Sequence, residues 1–282
     1  MNVEQAARPG ASTGASTRTN ILVYAMDGAL LGSFMVSICL GVMLLEHPAS
    51  PVRQAIQSEL LRHALLGLLV GVTASCLIYS PWGKRSGASM NPAMTLCFLR
   101  LGQLGPRAAL GYVVAEFVGG ALGVAACSVI FRQWLGHPAV DFALTAPGPD
   151  GIAVAWFAEF VIAFVMLYAV LVVNQVPRFA ARTGYLAATL LALYVTFELP
   201  LSGTSLNPAR SFASALFAWS WSTFWIYLTA PVAGMLLAVE LHPRLGTASE
   251  KACAKVNHDD AVECFVRCDC VTAPAAPGSL RP

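Results

Sequence analysis

The chain has 282 residues, of which 57% are hydrophobic and only 11% are charged, and its formal net charge is +2. A soluble domain carries about 25% charged residues, so the composition excludes an ordinary soluble protein and predicts a membrane protein with little mass outside the bilayer. The net charge is too small to indicate binding to nucleic acid. Residues 1–19 are polar, and we expect them to form a disordered cytoplasmic segment.

Six apolar segments follow in chain order, each close to the ~20 residues that a membrane-spanning helix needs. They are residues 21–45, 60–80, 106–131, 153–174, 184–200 and 222–241. The first is too long for the core of a signal peptide, so we expect it to be retained as a span. Two further apolar segments, 86–101 and 202–218, are too short to cross. Because ten helical residues cover ~15 Å, these two segments are predicted to be half-helices that meet in the middle of the bilayer.

Both short segments carry the same tripeptide, and the two copies lie 116 positions apart. The copies are Asn91-Pro92-Ala93 and Asn207-Pro208-Ala209, in the frames Ser86-Gly-Ala-Ser-Met90 and Ser202-Gly-Thr-Ser-Leu206. Asn is a preferred helix N-cap and Pro is favoured at the first helical position, so each copy predicts a helix start. Non-helical backbone is tolerated at membrane depth only when it is buried in protein or lines a wet cavity. Both loops are therefore predicted to line a pore.

The copies divide the chain into two halves, about residues 20–131 and 153–243, with three spans each. An odd number of spans places the halves in opposite orientations, which is an inverted repeat. Lys and Arg are more frequent in the segments that lie inside if both termini are cytoplasmic, so the charge bias predicts that orientation. The tail, residues 244–282, is predicted to be cytoplasmic and disordered. Metal binding or redox sensing is the alternative for its four cysteines, Cys253, Cys264, Cys268 and Cys270.

These residues resemble the aquaporin family, the major intrinsic proteins, over about residues 20–243. The resemblance is carried by both tripeptides in their frames and by Arg210 directly after the second copy. It implies an all-α membrane protein with six transmembrane helices and two re-entrant half-helices in an inverted repeat. It also implies a passive channel for water and small neutral solutes (glycerol, urea, ammonia, hydrogen peroxide), a homotetramer in the plasma membrane or the inner membrane of a bacterium, and neither enzyme activity, cofactor nor metal.

Within this resemblance, Asn91 and Asn207 face each other at the midplane and offer amide donors to a passing water. Each half-helix N-terminus adds about half a positive charge, so the pair repels cations and opposes a continuous proton wire. A guanidinium in an apolar segment usually faces a wet interior, so Arg210 is expected to line the outer constriction. The alternative for Arg210 is a structural ion pair with a carboxylate such as Glu198.

The remaining constriction positions follow by counting within the resemblance. Thr204 contributes a backbone carbonyl, Val195 lies on the fifth span, and the second span contributes Val70 or Gly71, a choice that the sequence leaves open. All the candidates lack a His or a bulky aromatic ring, so we expect a wider or less polar constriction than a strict water filter. Against glycerol, Ser211 stands where glycerol-conducting members typically carry Asp.

Glu159 matches a buried Glu of the family that accepts hydrogen bonds from the backbone of a re-entrant loop. Its first-span equivalent is missing, because Ala29 stands at the aligned position. Asp27 lies about 200° around the helix from Ala29, so we expect it to be a poor substitute. The absent Glu leaves a non-conducting scaffold as one alternative. An ion-coupled transporter is another, but it needs paired ionisable residues at the midplane, and only Glu116 and Glu159 lie well inside the spans.

Overall fold

The computed structural model describes residues 13–242 and Val256, without the side chains of residues 13–20 and 177. Apart from Val256, the predicted tail, residues 244–282, lies outside the described residues. This part of the chain is helical and contains no strand. Its α-helices are α1 (Thr13–Glu46), α2 (Pro51–Ala55), α3 (Glu59–Tyr79), α4 (Pro81–Ser86), α5 (Pro92–Arg100), α6 (Pro106–Leu135), α7 (Ile152–Asn174), α8 (Pro177–Ala180), α9 (Thr183–Phe197), α10 (Leu199–Ser202), α11 (Pro208–Ala218) and α12 (Phe224–Leu241). A 3-10 turn, Asp141–Ala143, lies between α6 and α7.

The six predicted spans correspond to α1, α3, α6, α7, α9 and α12, which confirms the predicted all-α membrane fold. Among the described residues, five of these helices are long and apolar enough to cross a membrane, and α9 is a shorter apolar helix of 15 residues. The fifth span was predicted to reach residue 200, but α9 ends at Phe197. Pro200 explains the difference, because a proline and the residue before it are disfavoured inside a continuing helix.

The two half-helices begin where the tripeptides predict. The Asn91 side-chain oxygen accepts a hydrogen bond from the Ala93 N–H (2.9 Å), and α5 follows with a proline in its first turn. Asn207 does the same for α11, accepting from the Ala209 N–H at 3.0 Å. Each cap satisfies a backbone donor that would otherwise be unpaired at the start of a helix. Both predicted helix starts are confirmed.

The backbone of the two loops repeats residue by residue at the same offset of 116 positions. In each loop a left-handed glycine is followed by two non-glycine residues with positive φ. The pairs are Gly87 (94°) and Gly203 (83°), Ala88 (51°) and Thr204 (49°), and Met90 (45°) and Leu206 (54°). Non-glycine residues rarely adopt this conformation, and it persists only where the surroundings hold it. The loops therefore depend on the contacts that fix them.

Glycines bring the spans close together around the loops. A Cβ atom on Gly119 of α6 would lie 1.9 Å from the Gly28 carbonyl oxygen of α1, so a side chain at this position would clash with backbone. Likewise, a Cβ on Gly67 of α3 would lie 2.4 Å from the Ala192 carbonyl oxygen of α9. Small residues permit this close approach of helix backbones. The resulting close pairs are α1 with α6 and α3 with α9.

Candidate pore

Asn91 and Asn207 lie together where the two halves meet. The Asn91 Nδ2 donates to the Leu206 carbonyl oxygen (2.8 Å), and the Asn207 Nδ2 donates to the Met90 carbonyl oxygen (2.6 Å). Each side chain thus caps its own half-helix and bonds to the loop of the other half. A primary amide carries two N–H donors, so each Asn keeps one N–H that these contacts do not use.

Two cavities flank this junction. The Arg210-side cavity, with a volume of about 200 Å³, is lined by residues that include Arg210, Val195 and Val70. The Val256-side cavity, with a volume of about 110 Å³, is lined by residues that include Asn91, Asn207 and Val256. Both volumes exceed what one water molecule requires. Three residues line both cavities and therefore lie between them: Phe34, Leu191 and Ser205.

Arg210 presents an unused donor to this region. The residue is 8% exposed and lines the Arg210-side cavity, and its Nη1 has no hydrogen-bond partner in the described part of the chain. The alternative of an ion pair with Glu198 is wrong. The Glu198 carboxylate instead accepts hydrogen bonds from the hydroxyls of Ser202 and Thr204, and the ion pairs found among the described residues do not include Arg210. A buried guanidinium N–H without a protein partner is suited to a ligand in the cavity.

The structure separates the two second-span candidates. Val70 lines the Arg210-side cavity together with Val195 and Thr204. Gly71 lies instead against α9, where a Cβ atom would be 2.8 Å from the Ala188 carbonyl oxygen. The geometry therefore favours Val70 over Gly71 as the second-span residue that faces the cavity, because one residue along a helix turns a side chain by about 100°.

Glu159 holds the second loop through both carboxylate oxygens. Its Oε1 accepts from the Ser205 N–H (2.6 Å) and from the Ser202 hydroxyl (2.8 Å), and its Oε2 accepts from the Leu206 N–H (2.8 Å). The side chain is fully buried on α7. These bonds satisfy loop donors that water cannot reach, and they fix Leu206 in its left-handed conformation.

Asp27 holds the first loop in the same manner, so the expectation that it is a poor substitute is wrong. Its Oδ1 accepts from the Ser86 hydroxyl (2.9 Å), and its Oδ2 accepts from the Met90 N–H (2.8 Å). Asp27 is fully buried, whereas Ala29 is exposed on the outer face of α1. The two positions lie about 200° apart around the helix, so Asp27 points toward the loop and Ala29 points away from it.

A second carboxyl group supports the first loop. Glu116 of α6 is fully buried, and its Oε1 accepts from the Asn91 N–H (3.1 Å) and from the Thr95 hydroxyl (2.8 Å). The Asn91 backbone, which carries the midplane amide, is thus fixed by α6 as well as by its own helix. Sequence analysis places Glu116 in the interior, and the structure confirms that it is buried and hydrogen-bonded.

Among the residues of this region that sequence analysis missed, four are notable for their contacts. Phe34 and Leu191 line both cavities, and the hydroxyls of Tyr112 and Tyr227 each donate to a serine carbonyl, at Ser86 and Ser202 respectively, at 2.6 Å. The sequence could have revealed the tyrosines, because they lie 115 positions apart in the two halves, close to the repeat offset of 116. A signal for Leu191 is its place one helical turn before Val195. Phe34 carries no comparable signal.

Two half-helices whose Asn caps meet beside a cavity place this chain among the membrane proteins with paired re-entrant half-helices. The family model described as "Major intrinsic protein" matches residues 22–242. The chain therefore belongs to the major intrinsic protein family.

Two curated relatives illustrate the similarity. The chain is 30% identical over 171 residues to a protein described as "Probable aquaporin NIP7-1" of Arabidopsis thaliana, a match that covers 60% of each chain. It is 32% identical over 176 residues to "Glycerol uptake facilitator protein-like 6" of Lactiplantibacillus plantarum, covering 61% of this chain and 81% of that one. The chain thus spans less than two thirds of the length of the Arabidopsis relative.

A solved structure shows the same fold. The aquaglyceroporin from Plasmodium falciparum superposes with a TM-score of 0.66 and 16% sequence identity, covering 79% of this chain and 96% of that chain. At this identity the likeness concerns the fold alone. The arrangement of the candidate pore therefore has to be argued from the residues of this chain.

Proposed function

We propose that this chain is a passive transmembrane channel for water and small neutral solutes. The observation that carries the proposal is the pair Asn91 and Asn207, which both line the Val256-side cavity and each keep one N–H that their protein contacts do not use. A water molecule at this point exchanges hydrogen bonds with fixed donors and so loses little when it leaves bulk water. The pore-lining role of both tripeptides, Asn91-Pro92-Ala93 and Asn207-Pro208-Ala209, is part of this proposal.

Exclusion of ions follows from the positive charge along the same path. The two half-helix N-termini contribute about half an elementary charge each, and Arg210 adds a full charge on one side of the junction. Met94 occupies the position in the first half that corresponds to Arg210. The positive charge along the path is therefore asymmetric between the two halves.

The wall of that cavity supports passage of solutes larger than water. Val70 and Val195 provide an apolar surface, while the Arg210 Nη1 and Thr204 provide polar groups. A solute such as glycerol, with a hydrocarbon side and a hydroxyl side, matches a wall of this kind. The relatives described as aquaporins and as a glycerol uptake facilitator-like protein support the same range of solutes. Glycerol, urea, ammonia and hydrogen peroxide are the proposed permeants beside water.

An ion-coupled transporter has less support. Such a mechanism requires ionisable groups that face the path at the midplane. Glu116 and Glu159 are both engaged with loop backbone, and neither lines one of the two cavities. The wider proposal is a homotetramer in the plasma membrane, with both termini on the cytoplasmic side.

The first test is stopped-flow light scattering on proteoliposomes that contain the purified protein. We expect fast shrinkage under an impermeant osmolyte, and fast shrinkage followed by accelerated re-swelling under glycerol. Fast shrinkage without accelerated re-swelling would show that the pore conducts water but not glycerol. Liposomes that shrink no faster than empty ones would contradict the channel function itself.

A second test concerns the width of the constriction. Replacing Val195 with His places a larger, polar ring in the Arg210-side cavity, and we expect glycerol permeability to fall about tenfold, the size of a difference of ~1.4 kcal/mol in the barrier. Water permeability should change far less, because the imidazole donates to and accepts from water. Val195→Ile is the matched control, since it adds bulk without polarity and should reduce both permeabilities. If the glycerol and water permeabilities of V195H equal those of the unchanged protein, Val195 does not line the constriction.

A further inference from the structure

Two carboxyl groups lie side by side in the interior next to the first re-entrant loop. Asp27 of α1 and Glu116 of α6 are both fully buried, and their side chains are hydrogen-bonding neighbours. The packing of the two helices accounts for this contact, because a Cβ atom on Gly28 would lie only 2.4 Å from the Ala115 carbonyl oxygen. Asp27 and Glu116 are the chain neighbours of these two residues. The close approach of the backbones therefore brings the carboxyl groups together.

One of the four carboxyl oxygens differs from the others. The Asp27 Oδ1 and Oδ2 each accept one hydrogen bond, and the Glu116 Oε1 accepts two. The Glu116 Oε2 is buried and receives no hydrogen bond from a donor in the described part of the chain. A bare carboxylate oxygen at this position would be an unsatisfied charge, whereas a protonated oxygen can donate. The Asp27 carboxylate has the capacity to accept such a bond, because its two oxygens offer about four lone-pair sites.

The charges around the pair do not neutralise it. Two adjacent carboxylates in a dry interior repel so strongly that such pairs hold one proton between them. Tyr112 is the other titratable group that faces the pair, and Tyr24 packs against its ring with the centroids 5.0 Å apart. A phenol ordinarily stays neutral up to ~pH 10, so neither ring adds a charge. Among the described residues, neither carboxyl group is ion-paired with a cation of the neighbouring elements, which are Lys84 and Arg85 of α4, Arg100 of α5 and Arg210 of α11.

We infer that Asp27 and Glu116 bind one proton between them, and that the Glu116 Oε2 donates it in a hydrogen bond to the Asp27 carboxylate. Because Asp27 accepts from the Met90 N–H and Glu116 accepts from the Asn91 N–H, the pair fixes two consecutive residues of the first re-entrant loop. Glu116 is thus a positioning residue for Asn91, and it acts in its neutral form. This proton-binding site does not depend on the proposed channel function, because it is a property of the folded chain.

The first test is infrared difference spectroscopy of the purified full chain and of Glu116→Gln at neutral pH. We expect the full chain to show the C=O stretching band of a buried protonated carboxyl group that E116Q has lost. Glu240→Gln is the matched control, because Glu240 is exposed and ion-paired with Arg100 at 2.7 Å, so E240Q should keep the band. A band of equal intensity in E116Q and in the full chain would overturn the shared proton.

The second test measures how pH changes stability, by unfolding with denaturant in detergent micelles between about pH 5 and about pH 9. The folded chain binds one proton that the unfolded chain releases, so this contribution to stability is complete in acid and is lost as the pH rises. The unfolding equilibrium constant of the full chain and of E240Q should therefore rise up to about tenfold per pH unit relative to that of E116Q, whose amide is a permanent donor. Identical pH profiles in the three proteins would overturn the inference. A failure of E116Q to fold would also overturn it, because Gln offers the same donor and acceptor as a protonated Glu.

Discussion

Replacing Asp27 with Ala is expected to abolish water permeation and to lower the free energy of unfolding by about 3 kcal/mol. The Ser86 hydroxyl and the Met90 N–H both lose their acceptor in the interior, and a buried donor without a partner costs ~1–3 kcal/mol. Met90 is also held with a φ of 45°, a conformation that the loop does not keep unsupported. The Met90 carbonyl accepts from Asn207, so its displacement disturbs the midplane pair as well.

The measurement pairs the thermal unfolding midpoint in detergent with water permeability in proteoliposomes. Asp27→Asn keeps the shape and one acceptor oxygen, so we expect an intermediate loss. Adding Ala29→Glu to D27A should not restore either quantity, because Ala29 is exposed on the outer face of α1. Recovery in that double variant would show that position 29 reaches the loop, which is the arrangement the sequence motif suggests and the structure contradicts.

The global features of this protein were predictable because they depend on length and on residues with strong local preferences. Apolar length sets the number of spans, and Asn followed by Pro starts a helix wherever it occurs in such a frame. The repeat is also more complete than the sequence predicts, because residues 116 positions apart in the two loops have similar φ angles. These properties belong to short stretches of chain and need no knowledge of the neighbouring helix.

The errors occurred where direction around a helix decides the outcome. Aligning the first span on its motif placed Ala29 at the carboxylate position, although the helix directs Asp27 there. The choice between Val70 and Gly71 is of the same kind, because one residue separates a cavity wall from a helix contact. Rotation of a span is set by packing against its partner, as Gly28 packs on Gly119, and a single sequence does not contain that contact.

Replacing Arg210 with Val is expected to make the pore leak cations and protons by about two orders of magnitude. Two unit charges ~5 Å apart at an effective dielectric constant of ~20 repel by ~3 kcal/mol, and each ~1.4 kcal/mol is a factor of ten. Arg210 supplies this charge beside the path, while Met94 supplies none in the other half. The half-helix N-termini remain in the variant, so the leak should stay below that of an open cation pore.

The leak is measured as the decay of a pH gradient and of a potassium gradient in proteoliposomes, with water permeability recorded on the same vesicles. Arg210→Lys retains the charge and should exclude cations nearly as well, although it loses the planar donor geometry of the guanidinium. Arg178→Val is the matched control for charge removal, because Arg178 is exposed outside the spans and contacts the Phe179 ring. A cation leak in R178V equal to that in R210V would show that the leak depends on the total charge of the protein and not on the position of Arg210. An unchanged leak in R210V, with water permeation intact, would leave ion exclusion to the two opposed helix N-termini alone.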